Sequence, residues 1–288
     1  MSYPKFKKEL ERLKEDNIHG ASHLYRQLLK IFVKANDDLD RAEYRKLVKE
    51  LKNWRPLMGN VLNGIAIIEE YAEKSANDIA TTLAKSQAEM EDAQKRTIFN
   101  AAKIIKRHRR IATISYSGQV GDSLLRAARE GWQGNILIAE SRPMMEGRLL
   151  AKRLVYTLSD SRIVFGTDCQ VLSLVPKVDA VFIGADLISL SFFINKMGTL
   201  SMCCAVSPGK KIYVIADSTK YYAPHNMDIH FSVRPTSEIW PHHPSKIDIL
   251  NNYFEIIKFQ PRIKFINEFG VWTGDRVKNY LENSQALL

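Results

Sequence analysis

The stretch VDAVFIGAD, residues 178–186, decides the fold of this chain. Its first six residues form a short, mostly apolar run, and Gly184, Ala185 and Asp186 follow at once. Short apolar runs bounded by turn residues are typical of strands buried in a parallel sheet. Asp186 therefore stands where a strand ends, which is the side of such a sheet where ligands bind.

Four further runs of this kind alternate with helical patterns along the same half of the chain. The predicted strands are residues 111–116, 135–139, 162–165, 178–183 and 212–215. The helix candidates between them are residues 121–130, 144–158 and 198–206. Alternation of strands and helices predicts an α/β fold built on a Rossmann-like, doubly wound parallel sheet.

The residues before this region follow a helical pattern instead. One apolar stripe with three- and four-residue spacing consists of Leu24, Leu28, Leu29 and Phe32. Asp40 can cap the next helix, and Pro56 can open another. Residues 77–107 hold no Gly or Pro and predict one long helix. We therefore expect an N-terminal helical domain with this linking helix, residues 1–107, followed by the sheet domain, residues 108–288.

Composition restricts the classes of protein to which this chain can belong. The 288 residues are 45% hydrophobic and 26% charged, which is ordinary for a soluble globular protein. No apolar run reaches eighteen residues, so we expect a cytoplasmic protein without membrane contact. The three cysteines, Cys169, Cys203 and Cys204, lack metal-site spacing. We expect reduced, mostly buried thiols, no metal and no cofactor.

The charge of the chain favours anionic partners, because its formal net charge is +10. Only residues 103–110, with the sequence KIIKRHRR, are dense in basic side chains. A nucleic-acid face normally clusters basic residues and interleaves aromatic ones for stacking. The run is typical of the solvated C-terminal end of a helix, so direct nucleic-acid binding is not expected.

Polar residues follow each predicted strand, at the edge where ligands bind. Recognition of phosphate without a metal needs Arg or Lys side chains and backbone amides at helix starts. Arg142, Lys196 and Lys220 stand near such starts, and Gly20 and Gly147 would let a ligand approach closely. From the residues alone, the pattern predicts a phosphorylated ligand.

Several of these segments also resemble a known family. The segments are GAS at 20–22, RPLM at 55–58, TISYS at 113–117, ESRP at 140–143, EGR at 146–148, GAD at 184–186 and NKMGT at 195–199. Their order and spacing are similar to those of the alpha, beta and delta subunits of initiation factor 2B, ribose-1,5-bisphosphate isomerase and methylthioribose-1-phosphate isomerase. The resemblance is strongest to the stand-alone archaeal initiation factor 2B-like proteins.

The resemblance implies roles for individual residues. In the isomerases of this family, the aspartate of Gly-Ala-Asp acts with a cysteine after the first strand as an acid/base pair. Asp186 matches the aspartate, and Ser115 stands at the cysteine position. The ligand-binding residues that the resemblance implies are Gly20, Ala21, Arg55, Ser117, Glu140, Arg142, Gly147, Asn195, Lys196 and Lys220. Ordinary roles remain open, such as helix capping for Asp186 and a surface ion pair for Arg142.

The sequence also departs from the isomerases at the same site. A hydroxyl at Ser115 is a far weaker acid than a thiol, whose pKa is about 8.5. His19 replaces an arginine before Gly20, and histidine cannot bind phosphate through two parallel hydrogen bonds. The loop after Asp186 lacks the usual glycine and is one residue shorter. Phe192 and Phe193 stand there instead and could plug the pocket or lie at a subunit interface.

Loss of the cysteine favours a non-catalytic, initiation factor 2B-like protein that binds a sugar phosphate or nucleotide and acts in translation initiation or its regulation. The alternative is an aldose–ketose phosphosugar isomerase of the ribose-1,5-bisphosphate or methylthioribose-1-phosphate type, in which Asp186 acts with water or Ser115. The resemblance implies a homodimer or larger homo-oligomer, with initiation factor 2 subunits as further candidate partners. Direct RNA binding has the least support in the sequence.

Overall fold

A computed structural model describes most of the chain. The described residues are 3–16, 20–51, 54, 57–72, 76–158, 162–222, 229, 231 and 234–285. His19, Arg55 and Pro56, which the sequence analysis singled out, lie outside them. In the described part, no helix is both long enough and apolar enough to cross a membrane.

Five helices come first in the chain. They are α1 (Tyr3–Glu15), α2 (Ala21–Asp38), α3 (Arg41–Lys49), α4 (Gly59–Tyr71) and α5 (Ala76–Ile105). The predicted cap of α3 is confirmed, because Asp40 Oδ1 accepts a hydrogen bond from the Glu43 amide at 2.9 Å. The predicted stripe on α2 is buried in one core with α1, α3 and α4. The 30-residue α5 confirms the predicted long helix.

The remaining elements surround a mostly parallel sheet of seven strands. The strands are β1 (Arg110–Thr113), β2 (Asn135–Ala139), β3 (Arg162–Gly166), β4 (Ala180–Gly184), β7 (Lys211–Ile215), β9 (Ile263–Asn267) and β10 (Gly270–Trp272). Their order is β10-β9-β7-β4-β1-β2-β3, and β10 alone is antiparallel to its neighbour. The chain is therefore a mixed α/β protein in which the strand order reverses between β1 and β4.

Both faces of the sheet are covered. The helices are α6 (Gly118–Arg129), α7 (Glu146–Val155), α8 (Asp168–Leu174), α9 (Thr199–Ala205) and α10 (Gly274–Gln285). Successive side chains of a strand point to opposite faces, so β4 contributes to two cores. Val181 and Ile183 join one apolar cluster, whereas Ala180 and Phe182 join the other. Burial on both faces explains why the strand reads as a continuous apolar run.

A second, three-stranded antiparallel sheet follows Asp186, where the sequence suggested a loop. It consists of β5 (Leu187–Ile188), β6 (Phe192–Lys196) and β8 (Phe254–Lys258). Phe193 is fully buried and lies edge-on to Phe265, with ring centroids 6.1 Å apart. Neither alternative offered for this residue, a pocket plug or a subunit interface, is correct. The hairpin turns Phe193 into the core of the sheet.

The predicted end of the first strand and the predicted burial of the cysteines were wrong. The first strand ends at Thr113 rather than at residue 116, because Ser115 has a φ of 68°, which no strand residue adopts. The thiols are not mostly buried, since Cys203 is buried but Cys169 and Cys204 are exposed. Adjacent residues on a helix point about 100° apart, so Cys204 faces outward from α9 while Cys203 faces the core.

Candidate functional site

A cavity of about 650 Å³ lies at the carboxyl ends of the parallel strands. The start of α2 and the middle of α5 form one side, and the segments that follow β1 and β4 form the other. The cavity thus lies where the strand order reverses, which is where open α/β sheets bind their ligands. Its volume is in the range of small-molecule sites.

The fold brings eight of the twelve predicted site residues into the lining of this cavity. They are Gly20, Ala21, Ser115, Ser117, Asp186, Asn195, Lys196 and Lys220. These residues come from α2, the two segments after β1 and β4, β6 and a short 3₁₀ helix after β7. Asn195 is held in place by its own hydrogen bond from Nδ2 to Thr199 Oγ1, at 2.9 Å.

Three other predicted residues lie outside the lining. Arg142 is exposed, and its backbone amide donates to Asp168 Oδ2 at 2.8 Å. Glu140 Oε2 faces the guanidinium of Arg148 at 3.6 Å. A Cβ on Gly147 would stand 1.9 Å from the Ala139 carbonyl oxygen, so this glycine lets α7 pack against the end of β2. The three residues shape the turn between β2 and α7.

Asp186 occupies the carboxyl end of β4, as the sequence predicts. Its amide donates to the Ile194 carbonyl at 2.9 Å, and its carbonyl accepts from the Gly59 amide at 2.8 Å. Burial raises the pKa of the Asp186 carboxyl to about 6, while Lys220 and Lys196 oppose the shift. A carboxyl with this pKa can both take up and release a proton near neutral pH.

Two buried lysines flank Asp186. Lys196 is 2% exposed, and its Nζ donates to Glu146 Oε1 at 2.8 Å. Lys220 is 6% exposed, and its Nζ donates to the Ala185 carbonyl at 2.7 Å. A buried ammonium group is costly unless it is hydrogen-bonded, and these contacts meet that need. The two positive charges are therefore fixed in position within the cavity wall.

The start of α6 forms a further part of the wall. Ser117 caps the helix, because its Oγ accepts from the Val120 amide at 3.4 Å. A Cβ on Gly184 would lie 2.7 Å from that Oγ, so the end of β4 and the start of α6 are in close contact. Gly118 and Gln119 bring the first turn of the helix to the cavity. Free amides and the helix dipole there favour an anion.

Ser115 adopts the left-handed backbone conformation just before this helix. Its amide donates to Ser141 Oγ at 2.7 Å, and Ser141 also has a positive φ, of 65°. The contact ties the segment after β1 to the segment after β2. Backbone strain of this kind is retained only where the surrounding structure enforces it. Ser115 is thereby presented to the cavity at a fixed position.

Sequence reasoning missed several residues of the lining. Gln119 is buried and donates from Nε2 to Asp217 Oδ2, while its Oε1 has no partner in the described part of the chain. Glu146 Oε2 also has none among the described residues. Glu146 belonged to a motif that the sequence analysis recognised, whereas no local signal marked Gln119.

Comparison with known proteins identifies relatives of two kinds. A ribose 1,5-bisphosphate isomerase of Archaeoglobus fulgidus is 25% identical over 223 residues, which cover 74% of this chain and 71% of that protein. A putative translation initiation factor eIF-2B subunit 2-like protein of Pyrococcus furiosus is 28% identical over 222 residues, 75% of this chain and 79% of that protein. The chain is about equally similar to proteins of both kinds.

The fold is shared with a solved structure. The Pyrococcus horikoshii protein described as translation initiation factor eIF-2B superposes with a TM-score of 0.81 at 21% identity, over 94% of this chain and 98% of that chain. The initiation factor 2 subunit family matches residues 14–274 of the sequence. With nearly the whole chain covered, this protein belongs to the initiation factor 2 subunit family.

Proposed function

We propose that this protein binds a phosphorylated sugar or nucleotide in the cavity without converting it, and acts in translation initiation or its regulation. The observation that carries the proposal is the pair of buried lysines, Lys196 and Lys220, beside the start of α6. Two fixed ammonium groups and the free amides of a helix start are suited to phosphate oxygens. No acidic residue lies in the first turn of α6 to repel an anion.

The proposal that the protein does not catalyse a reaction depends on Ser115. An isomerase needs a second acid or base beside Asp186, and a serine hydroxyl transfers protons poorly near neutral pH. Loss of one such partner typically lowers the rate by about 10² to 10⁴. The geometry therefore supports binding better than turnover.

One observation favours the alternative, a phosphosugar aldose–ketose isomerase. The pKa of Asp186, raised by burial to about 6, is suited to proton transfer near neutral pH. Water or Ser115 would then supply the second proton transfer. The relative named ribose 1,5-bisphosphate isomerase provides the substrate with which to test this alternative.

The test is proton and phosphorus NMR of the purified protein with ribose 1,5-bisphosphate, repeated with AMP. We expect broadening of the ligand phosphorus signals without ketose signals over several hours. The variant Lys220→Met should abolish the broadening, whereas Lys177→Met, which changes an exposed lysine far from the cavity, should retain it. Ketose formation that disappears in Asp186→Asn would establish the isomerase. No broadening with either ligand would contradict the proposed site.

We also propose that the protein forms a homodimer or larger homo-oligomer, as the family resemblance implies. Light scattering coupled to gel filtration measures the mass directly. We expect at least twice the chain mass of 32.9 kDa at micromolar concentration. A monodisperse monomer would contradict this proposal and would leave the cavity proposal untouched.

A further inference from the structure

The amino ends of the parallel strands form the opposite edge of the central sheet from the cavity. Strands of four to five residues separate the two edges by roughly 15 Å. β1 starts at Arg110, β3 at Arg162 and β7 at Lys211. We call the basic residues gathered there the basic edge: Arg107, Arg109, Arg110, Arg162, Lys177, Lys210 and Lys211.

Strand pairing shows that these residues are neighbours although they are distant in sequence. Arg110 pairs with Asn135 of β2, which in turn pairs with Arg162 of β3. On the other side of β1, Ala180 of β4 pairs with Lys211 of β7. Adjacent strands lie about 4.8 Å apart, so the four steps from β3 to β7 span about 19 Å. The sequence run at 103–110 supplies only the centre of this surface.

The charges that act on His108 belong to the same surface. Burial lowers the pKa of His108, with Asp179 opposing the shift and Arg107 and Lys210 reinforcing it. Arg107 and Lys210 therefore both lie within range of one imidazole. Asp179 is occupied, because it accepts from the amides of Arg109 and Arg110 at 3.0 and 2.8 Å.

Few carboxylates neutralise the basic edge. Arg110 faces Asp179 at 3.5 Å, and Glu130 is already paired with Lys106 and Arg126. Five side chains of the basic edge have no hydrogen bond or ion pair within the described ranges: Arg107, Arg109, Arg162, Lys177 and Lys211. Five cations without an ion-pair partner in the described part of the chain are thus exposed along one edge of the sheet.

We propose that the basic edge binds the phosphate backbone of double-stranded nucleic acid. Its arginines can each bind a phosphate through two parallel hydrogen bonds, and a B-form duplex offers one charge per about 1.7 Å of axis. The sequence analysis did not expect nucleic-acid binding, because it saw the run at 103–110 without Arg162, Lys177, Lys210 and Lys211.

The surface is suited to backbone contact rather than to base recognition. The rings next to it, Phe182 and Tyr213, stack on each other with centroids 4.9 Å apart, and Phe182 is fully buried. The ring of Phe182 is therefore not available for stacking on unpaired bases, and single-stranded binding uses such stacking. Duplex binding through phosphates should be independent of sequence and strongly dependent on salt.

Fluorescence anisotropy with a labelled 20-base-pair RNA duplex tests the proposal. With about five phosphate contacts, the association constant should fall about 100- to 1,000-fold between 50 and 200 mM KCl. The triple variant Arg107→Glu, Arg109→Glu, Lys211→Glu should bind at least tenfold more weakly at 50 mM KCl. The matched control is Lys30→Glu, Lys46→Glu, Lys49→Glu, which makes the same charge change at exposed lysines of α2 and α3. Its affinity should change less than threefold.

Equal losses in the two triple variants would overturn the proposal, because net charge rather than this surface would then be responsible. No measurable binding at 50 mM KCl would also overturn it. Competition by polyglutamate at equal charge would overturn the assignment to nucleic acid. If the edge variant does not fold, as judged by thermal unfolding, Arg109→Gln with Lys211→Gln replaces it, with at least a threefold loss expected.

Discussion

The two edges of the central sheet accommodate positive charge in opposite ways. At the cavity, Lys196 and Lys220 are nearly fully buried, and each ammonium group has a partner within 2.8 Å. At the basic edge, Arg109 and Lys211 are exposed and have no ion-pair partner in the described chain. Buried charges with fixed partners define a position for one ligand, whereas exposed charges act through a field that salt screens. Removing a charge at the cavity should therefore lower the stability of the fold more than removing the same charge at the basic edge.

The largest effect is expected for Lys196→Met. The change leaves the carboxylate of Glu146 without its cation, and breaking such a pair costs about 3 to 5 kcal/mol. We expect about 3 kcal/mol, because a quarter of the Glu146 side chain is exposed. The matched change Lys211→Met at the other edge should alter the free energy of unfolding by less than about 0.5 kcal/mol. Urea denaturation measures both, and equal losses would refute the contrast between the two edges.

A smaller effect is expected from the titration of Asp186. Burial raises its pKa from 3.8 to about 6, so between these values the folded chain holds a proton that the unfolded chain has lost. Stability should therefore fall as the pH rises through this window. The full shift corresponds to about 3 kcal/mol, and solvent in the cavity should reduce it to about 2 kcal/mol.

Comparison with Asp186→Asn isolates this titration. Between pH 4 and pH 7 the original chain should lose about 2 kcal/mol of unfolding free energy relative to the variant, because only the original chain has the carboxyl that titrates. Urea denaturation at intermediate pH values gives the midpoint of the change. A difference that stays constant with pH would show that the carboxyl is not desolvated.

A still smaller effect than that of the Asp186 titration is expected for Arg110→Met. The guanidinium lies 3.5 Å from Asp179 and its side chain is 55% exposed, so the ion pair should contribute less than about 1 kcal/mol. Asp179 keeps its hydrogen bonds from the two backbone amides in this variant. Thermal unfolding at low and high salt checks the prediction. A loss of unfolding free energy above 2 kcal/mol that persists in high salt would contradict the prediction, because Arg110 would then behave like the buried lysines of the cavity.

Local patterns predicted the central strands well. Residues 135–139 form β2 with the predicted bounds, because Gly134 and Glu140 limit a short apolar run on either side. The second sheet could not be found in this way. β5 has only two residues, and β6 pairs with β8, about 60 residues further along the chain. Pairing between distant segments leaves little trace in local periodicity.

The candidate site shows the same contrast between residues that a local pattern predicts and residues that depend on distant segments. Asp186 was found because it closely follows a strand, although its backbone is also held by hydrogen bonds with Gly59 and Ile194. Gln119 was missed because its buried position depends on Asp217, which is 98 residues away. The basic edge was missed for the same reason, since it is assembled from the starts of separate strands. Sequence reasoning found residues that follow the strands, and it missed the surface that the starts of several strands form together.

The contact between α4 and the segment after β4 has a consequence for dynamics. The Gly59 amide donates to the Asp186 carbonyl, and a Cβ on Gly59 would lie 2.1 Å from the Lys220 carbonyl oxygen. The helices and the sheet thus meet at the backbone of two cavity residues. A ligand that binds only this closed arrangement would stabilise it by about 2.7 kcal/mol at 100 times its Kd. Occupancy of the cavity would then slow amide hydrogen exchange along α4, in a helix that need not contact the ligand at all.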